Sequence, residues 1–348
     1  VFQKNIIEDV GVLASAYSRF VFALPFVALL AVLFLGSQEI FLLKTISLKA
    51  WFFLIAASIC QILFTIILIK LFTLRSFAIG VAFSKTEVIQ TTLLEIIIIG
   101  FILTSHVFLS IIIGFIGMLF MSKQKLIGKL GYNSLFLKQV TLGVLCGIFL
   151  GLSSVLYKVA LDSVTTDLIY KKVLVLSFLA LVFQSVIFGT YIVSTEGKQN
   201  VLKLFSIWKK GLPVGFFGCV ATFCWFTAFS LVDATFVRAV GQLEIVFSVL
   251  ISYVFYKEKI TGFELIGMSL ITISILALLG LPNLNKSRKS LMFLRLIFFE
   301  LILFILLYLF LKFFVDKRYF SSFMKVFTIA IALLIAAQTS ILFVLSWI

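Results

Sequence analysis

The chain is poor in what a water-soluble domain needs at its surface. Charged residues make up only 12% of its 348 positions, against 63% hydrophobic, and mean hydropathy is +1.25. A soluble domain of this length has to turn much of its surface to water, and too few polar groups are present to do so. Histidine is almost absent, His106 being the single copy. One imidazole makes neither a metal site nor a Ser-His-Asp triad. The sequence has no G-x-x-x-x-G-K-[ST] phosphate loop and no G-x-S-x-G nucleophile elbow. No catalytic residue, cofactor or metal is therefore expected, and an enzyme is the weaker class. The four cysteines, Cys60, Cys146, Cys219 and Cys224, all lie inside apolar runs. There they read as small packing residues.

What is present is a series of long apolar runs. A helix needs about 20 apolar residues to cross a bilayer, and barrel strands give much shorter alternating segments. The fold class expected is an all-α polytopic membrane protein. Hydropathy predicts spans at 10–36, 49–70, 74–100, 104–121, 138–161, 172–194, 209–231, 233–256 and 260–281. A polar stretch, 282–290, then precedes two more spans, 291–314 and 324–347. The connection 195–208 has room for a short surface helix only. A net charge of +15 suggests nucleic acid, but the lysines sit in short clusters between apolar runs, as at Lys123, Lys125 and Lys129. Such clusters hold loops against anionic lipid. The expected partners are thus the lipid bilayer and a small-molecule solute, with no nucleic acid.

An internal repeat organises the chain. Segment 77–121 aligns without gaps on 234–278 at a constant offset of 157, which places Glu87 on Glu244, Thr104 on Thr261 and Ala82 on Ala239. Upstream, 49–70 corresponds to 209–231 and 10–36 to 172–194. The second copy has one more helix in front, 138–161, where the first has only Val1, Phe2, Gln3 and Lys4. The expectation is that the chain starts at the last turn of a first helix. Two five-helix repeats insert with opposite orientation, because five is odd. Inverted repeats are a recurring carrier design with the solute site near the midplane.

The stretch Arg19-Phe20-Val21-Phe22-Ala23-Leu24-Pro25-Phe26 resembles the second helix of the EamA-type branch of the drug/metabolite transporter superfamily. Val237-Arg238-Ala239-Val240-Gly241-Gln242-Leu243-Glu244 resembles its ninth helix. The resemblance covers roughly 1–281. It implies a ten-helix carrier with a central cavity that moves small metabolites or drugs without ATP hydrolysis, in the inner (plasma) membrane. The expected organisation is a first repeat at 1–121, a basic linker at 122–137, a second repeat at 138–281 and an extra two-helix segment with its linker at 282–348. That last segment has no place in the family pattern, and Met292 stands where a separate small membrane protein would start. The richer set of basic connections places 122–137 in the cytoplasm, whereas the resemblance places it outside. A single chain suffices for one central site, and a homodimer is a compatible assembly. A membrane scaffold without transport is the alternative.

Ionisable groups inside spans cost on the order of 2.5–3.5 kcal/mol each and usually face a bundle interior. Arg19, Lys85, Glu87, Glu95, Lys158, Arg238, Glu244 and Glu264 are such groups. Lys70, Arg75, Lys257, Glu258, Lys259 and Glu264 suit a snorkelling reading near helix ends. Arg238 and Gln242, spaced i,i+4, are expected to share a face and hold an anionic or polar group of the solute. Arg19 and Trp225 are further candidates for solute contact, Trp225 as part of an aromatic wall with Phe216, Phe217, Phe223 and Phe226. Glu244 lies about 240° round the helix from Arg238 at about 100° per residue, so it is expected to pair elsewhere, with Arg19 or Lys158. Glu87, Glu244, Lys85 and Lys158 are read as coupling or repeat-pairing residues. Gly143, Gly147 and Gly151 form a G-x-x-x-G-x-x-x-G face for close helix packing. Pro25 and Pro213 are expected to kink their helices.

Overall fold

The computed structural model describes residues 2–34, 46–74, 83–127, 134–164, 166, 168–246, 249 and 261–278. The expected spans 291–314 and 324–347, and the polar stretch 282–290, lie outside them. The helices are α1 (Phe2–Val21), α2 (Leu24–Phe34), α3 (Leu48–Thr73), α4 (Glu87–Ile99), α5 (Ser105–Ile127) and α6 (Ser134–Asp162). They continue with α7 (Ile169–Thr195), α8 (Lys198–Ser206), α9 (Trp208–Leu231), α10 (Ala234–Gly241) and α11 (Gly262–Leu278). Strands are absent among the described residues, and only an isolated bridge between Ile46 and Val164 ties the start of α3 to the end of α6.

Five stretches are long and apolar enough to cross a membrane: Asp9–Leu33, Leu48–Thr73, Leu137–Asp162, Ile169–Thr195 and Trp208–Leu231. Two shorter apolar helices, Ser105–Met121 and Gly262–Leu278, accompany them. Large aliphatic side chains face outward, with Val32 and Ile97 each 78% exposed and Ile102 82%. Such a surface suits lipid and not water. The chain is a multi-pass α-helical membrane protein.

Two expected helices differ from their predicted form. The first span is broken. Gly11 carries φ 81°, a left-handed value that glycine tolerates, and α1 ends at Val21, three residues ahead of α2. Pro25, which has no N–H to give, sits one residue into α2. The expected helix 74–100 is interrupted at Lys85 and Thr86, with α4 starting only at Glu87. Glu87 thus stands in the first turn of a helix and not at the middle of one. Helices α5 and α6 also run into the expected linker from both sides, to Ile127 and from Ser134.

Several helix contacts recur between elements 157 positions apart. By the offset, α1–α2 corresponds to α7, α3 to α9 and α5 to α11, whereas the counterparts of α10 (77–84) and of α4 (244–256) lie mostly outside the described residues. Helix α1 packs on α9 as α7 packs on α3, and α1 packs on α3 as α7 packs on α9. The pairs α5·α11 and α1·α7 map onto themselves. Helix α5 opens at Ser105 and α11 at Gly262, again 157 apart. Small residues make these seams. A Cβ at Gly117 would come within 2.9 Å of the Gly267 carbonyl oxygen in the α5·α11 contact. A Cβ at Gly215 of α9 would overlap the Phe22 carbonyl, and one at Gly211 would overlap the Phe22 ring. Phe22 lies at the α1–α2 break, so the bent backbone enters the glycine face of α9.

Candidate functional site

Both members of the repeated helix pair are interrupted at equivalent places. In the first copy the helix turns at Lys85 and Thr86, and in the second at Gln242. The local cause differs. Thr86 Oγ1 donates to the Phe83 carbonyl at 2.7 Å, a side-chain bond that competes with regular helix. The second break follows Gly241, a weak helix former. Each break tightens into i→i−3 bonds, from Thr86 N to Phe83 O and from Gln242 N to Ala239 O.

The charges beside these breaks form one cluster. Lys85 Nζ pairs with Glu244 Oε2 at 3.6 Å, so each repeat supplies one partner. Glu87 and Glu244 both act on Arg238, and Glu87, Glu244 and Arg238 act on Lys85. Arg19 of α1 lies within electrostatic reach of Arg238 and Glu244. Three cations, Arg19, Lys85 and Arg238, thus gather with two carboxylates, Glu87 and Glu244. Glu87 is buried, whereas the Glu244 side chain is 59% exposed. The expected partners of Glu244 were Arg19 and Lys158. Lys158 instead pairs at 3.0 Å with Asp162, one turn along its own helix, which is the nearer carboxylate.

Arg238 is held on three sides. Its Nε donates to Ser154 Oγ of α6 at 2.7 Å. Its guanidinium carbon lies 4.4 Å from the Trp225 ring centroid and 5.6 Å from that of Phe229, both on α9. Trp225 and Phe229 stack on each other with centroids 5.9 Å apart. Trp225 also closes on Gly241, where a Cβ would meet the ring at 2.7 Å. The ring therefore supports the arginine and the helix break together. Gln242, one turn past Arg238 and still in αR backbone, is buried with its Oε1 toward Gly114 of α5. Of the aromatic wall, Phe226 packs on Tyr157 at 4.6 Å, whereas Phe216 is exposed and joins Phe26.

Tyr157 of α6 links three helices. Gln184 Nε2 donates to its hydroxyl at 2.7 Å, and Ser58 lies 3.4 Å from it. The glycine face of α6 presses on α4. A Cβ at Gly147 would meet the Gln90 amide, and one at Gly151 would come within 2.8 Å of Thr91 Oγ1. Gly143 is buried on the same helix. His106 is exposed, 3.2 Å from Thr104 Oγ1. No group of three or more potential metal ligands occurs among the described residues.

Two acidic residues have roles that hydropathy did not disclose. Glu264 closes a capping box with Thr261. The Thr261 N–H donates to Glu264 Oε2 at 3.0 Å, and the Glu264 N–H donates to Thr261 Oγ1 at 3.3 Å. The T-x-x-E spacing was the available signal. Glu95 of α4 is fully buried and accepts from the backbone N–H groups of Ala234 and Thr235 at 2.7 and 2.8 Å. Only the fold brings these residues together, since they stand 139 and 140 positions apart.

No curated protein matches the chain. A solved structure described only as "Crystal structure of protein" matches with a TM-score of 0.55 and 14% identity, over 78% of this chain and 88% of that one. At that identity the likeness is one of fold. Residues 137–280 match the EamA-like transporter family, a stretch that takes in α7 to α11 with Arg238, Trp225 and Glu244. Over those residues the chain is thus matched to EamA-like transporters, consistent with the EamA branch of the drug/metabolite transporter superfamily that its sequence resembles.

Proposed function

We propose that this chain is a secondary carrier of small metabolites or drugs in the inner (plasma) membrane, with its solute site between the two repeats. The observation that carries the reading is the meeting of two symmetry-related helix interruptions at one charge cluster. Interrupted helices at a repeat interface present polar backbone and fixed charge to a solute at membrane depth. Arg238 is the anchor for an anionic or polar group, pre-set by Trp225, Phe229 and Ser154. Arg19 adds a second cation from α1. The Lys85–Glu244 pair joins the repeats, with Glu87 the buried carboxylate beside it. Gln242 serves the α5 seam in this arrangement. The organisation into repeats at 1–121 and 138–281, and the place of 282–348, belong to the same proposal.

The test is solute-dependent stabilisation of the purified chain, followed by uptake into proteoliposomes. Arg238→Gln, at normal membrane abundance, is expected to abolish both. Unchanged uptake by that variant removes Arg238 from the site. A second reading, a scaffold without transport, is favoured by the local partners Arg238 already has in Ser154 and the two rings. It is chosen if no solute from a broad metabolite and drug panel alters stability and no flux is measured.

A further inference from the structure

The buried Glu95 carboxylate is not part of the central cluster and sits at the other end of α4. It occupies the N-terminus of α10, which belongs to the other repeat. Its two oxygens take one backbone N–H each, from Ala234 and Thr235. One turn earlier on α4, Thr92 Oγ1 lies 3.2 Å from Thr235 Oγ1. Just outside this polar contact, Phe101 and Phe236 meet edge to face at 5.9 Å. Val88, Val107 and Ile111 of the first repeat pack there with Ala239 and Leu278 of the second. The two repeats are therefore closed on each other at the membrane face that bears the connections 100–104 and 232–233.

The residue that ordinarily satisfies such a helix start is its own N-cap. Asp233 holds that position with extended backbone, φ −65° and ψ 148°, yet makes no capping bond. Aspartate is among the best N-caps. Here the first N–H groups are already taken by a carboxylate from another helix. Parting the repeats at this point exposes those N–H groups inside the membrane, where an unpaired donor is costly. A second carboxylate, at the N-cap itself, can take the Thr235 N–H by exchange when the repeats part, with the Ala234 N–H turning to the water that enters.

We propose that Glu95, with Thr92, forms a latch on Ala234 and Thr235 that closes one side of the carrier, and that Asp233 takes over the cap when the latch opens. The latch has two discrete states, as a gate requires. It rests on the carrier reading, since a gate has meaning only if the centre is reached from that face.

The test needs no solute. The four native cysteines, Cys60, Cys146, Cys219 and Cys224, are replaced by alanine, and Ala234→Cys is introduced at a buried position whose side chain makes none of the latch bonds. Labelling by a membrane-impermeant maleimide is timed in proteoliposomes. Glu95→Gln keeps one acceptor and turns an NH2 toward a backbone N–H, so the closed state weakens and labelling is expected to speed up about tenfold. Asp233→Ala removes no capping bond of the closed state, so folding is retained. It weakens the open state only, and labelling is expected to slow about fivefold. Labelling unchanged by Glu95→Gln overturns the latch. Labelling unchanged by Asp233→Ala overturns the exchange. Failure of the solute site is read separately, from Arg238→Gln uptake, and leaves these rates untouched.

Discussion

Arg238 and Trp225 should lose less stability together than the sum of their separate losses. The arginine is 7% exposed, and its guanidinium carbon stands 4.4 Å from the indole centroid. A cation over an aromatic face is worth about 0.5–1 kcal/mol in water and about 2 kcal/mol when desolvated. This contact is desolvated, so the coupling expected is roughly 1–2 kcal/mol. The Nε bond to Ser154 contributes separately, about 1.5–3 kcal/mol for a bond to a charged donor. Its loss leaves no orphan donor, because Ser154 Oγ already donates to the Leu150 carbonyl at 2.7 Å. Arg238→Met, Trp225→Leu and the double variant would be purified and unfolded reversibly by SDS in mixed micelles. The gap that Trp225→Leu leaves against Gly241 occurs in both arms of the cycle and cancels to first order. A coupling below about 0.3 kcal/mol, the scatter of independent sites, refutes the claim that the ring holds the arginine.

Gly215→Ala places a methyl on the Phe22 carbonyl. Backbone has little room to yield there, so a loss of about 1–3 kcal/mol or more is expected in the same SDS titration. Thr261→Ala opens the capping box of α11 and should cost about 1 kcal/mol. Glu244→Gln should cost under about 1 kcal/mol, because the Lys85 pair is 3.6 Å long and its carboxylate is largely exposed. Cys146, buried at 0% exposure, should resist maleimide in the folded protein and react on SDS unfolding. A Cys146 that labels at the rate of an exposed thiol would show that the α3·α6 contact is open.

Much of the architecture was legible because it rests on period and composition. The spans around α3, α6, α7 and α9 and the short helix at 198–206 come from apolar runs, and the helix starts at Ser105 and Gly262 keep the offset of 157 read from Glu87 and Glu244, Thr104 and Thr261. The breaks were not legible. Glu87 looked central to a long helix, and nothing in Ser84-Lys85-Thr86 is as strong a signal as proline. The contact of Gln242 Oε1 with Gly114 of another helix is one that the i,i+4 spacing from Arg238 does not announce. Glu95 looked like one more membrane carboxylate. Its partners are backbone N–H groups of another helix, and backbone donors leave no mark on residue type. Glu264 was legible in principle through its T-x-x-E spacing, but its place near a helix end drew the snorkelling reading instead.

The most direct measurement is flux. The purified chain in proteoliposomes, given a solute found by ligand-dependent stabilisation, is expected to show saturable uptake that Arg238→Gln abolishes and Glu244→Gln leaves largely intact. Uptake that persists undiminished in Arg238→Gln, with the protein folded and inserted to the same level, contradicts a solute site at the meeting of the two interrupted helices.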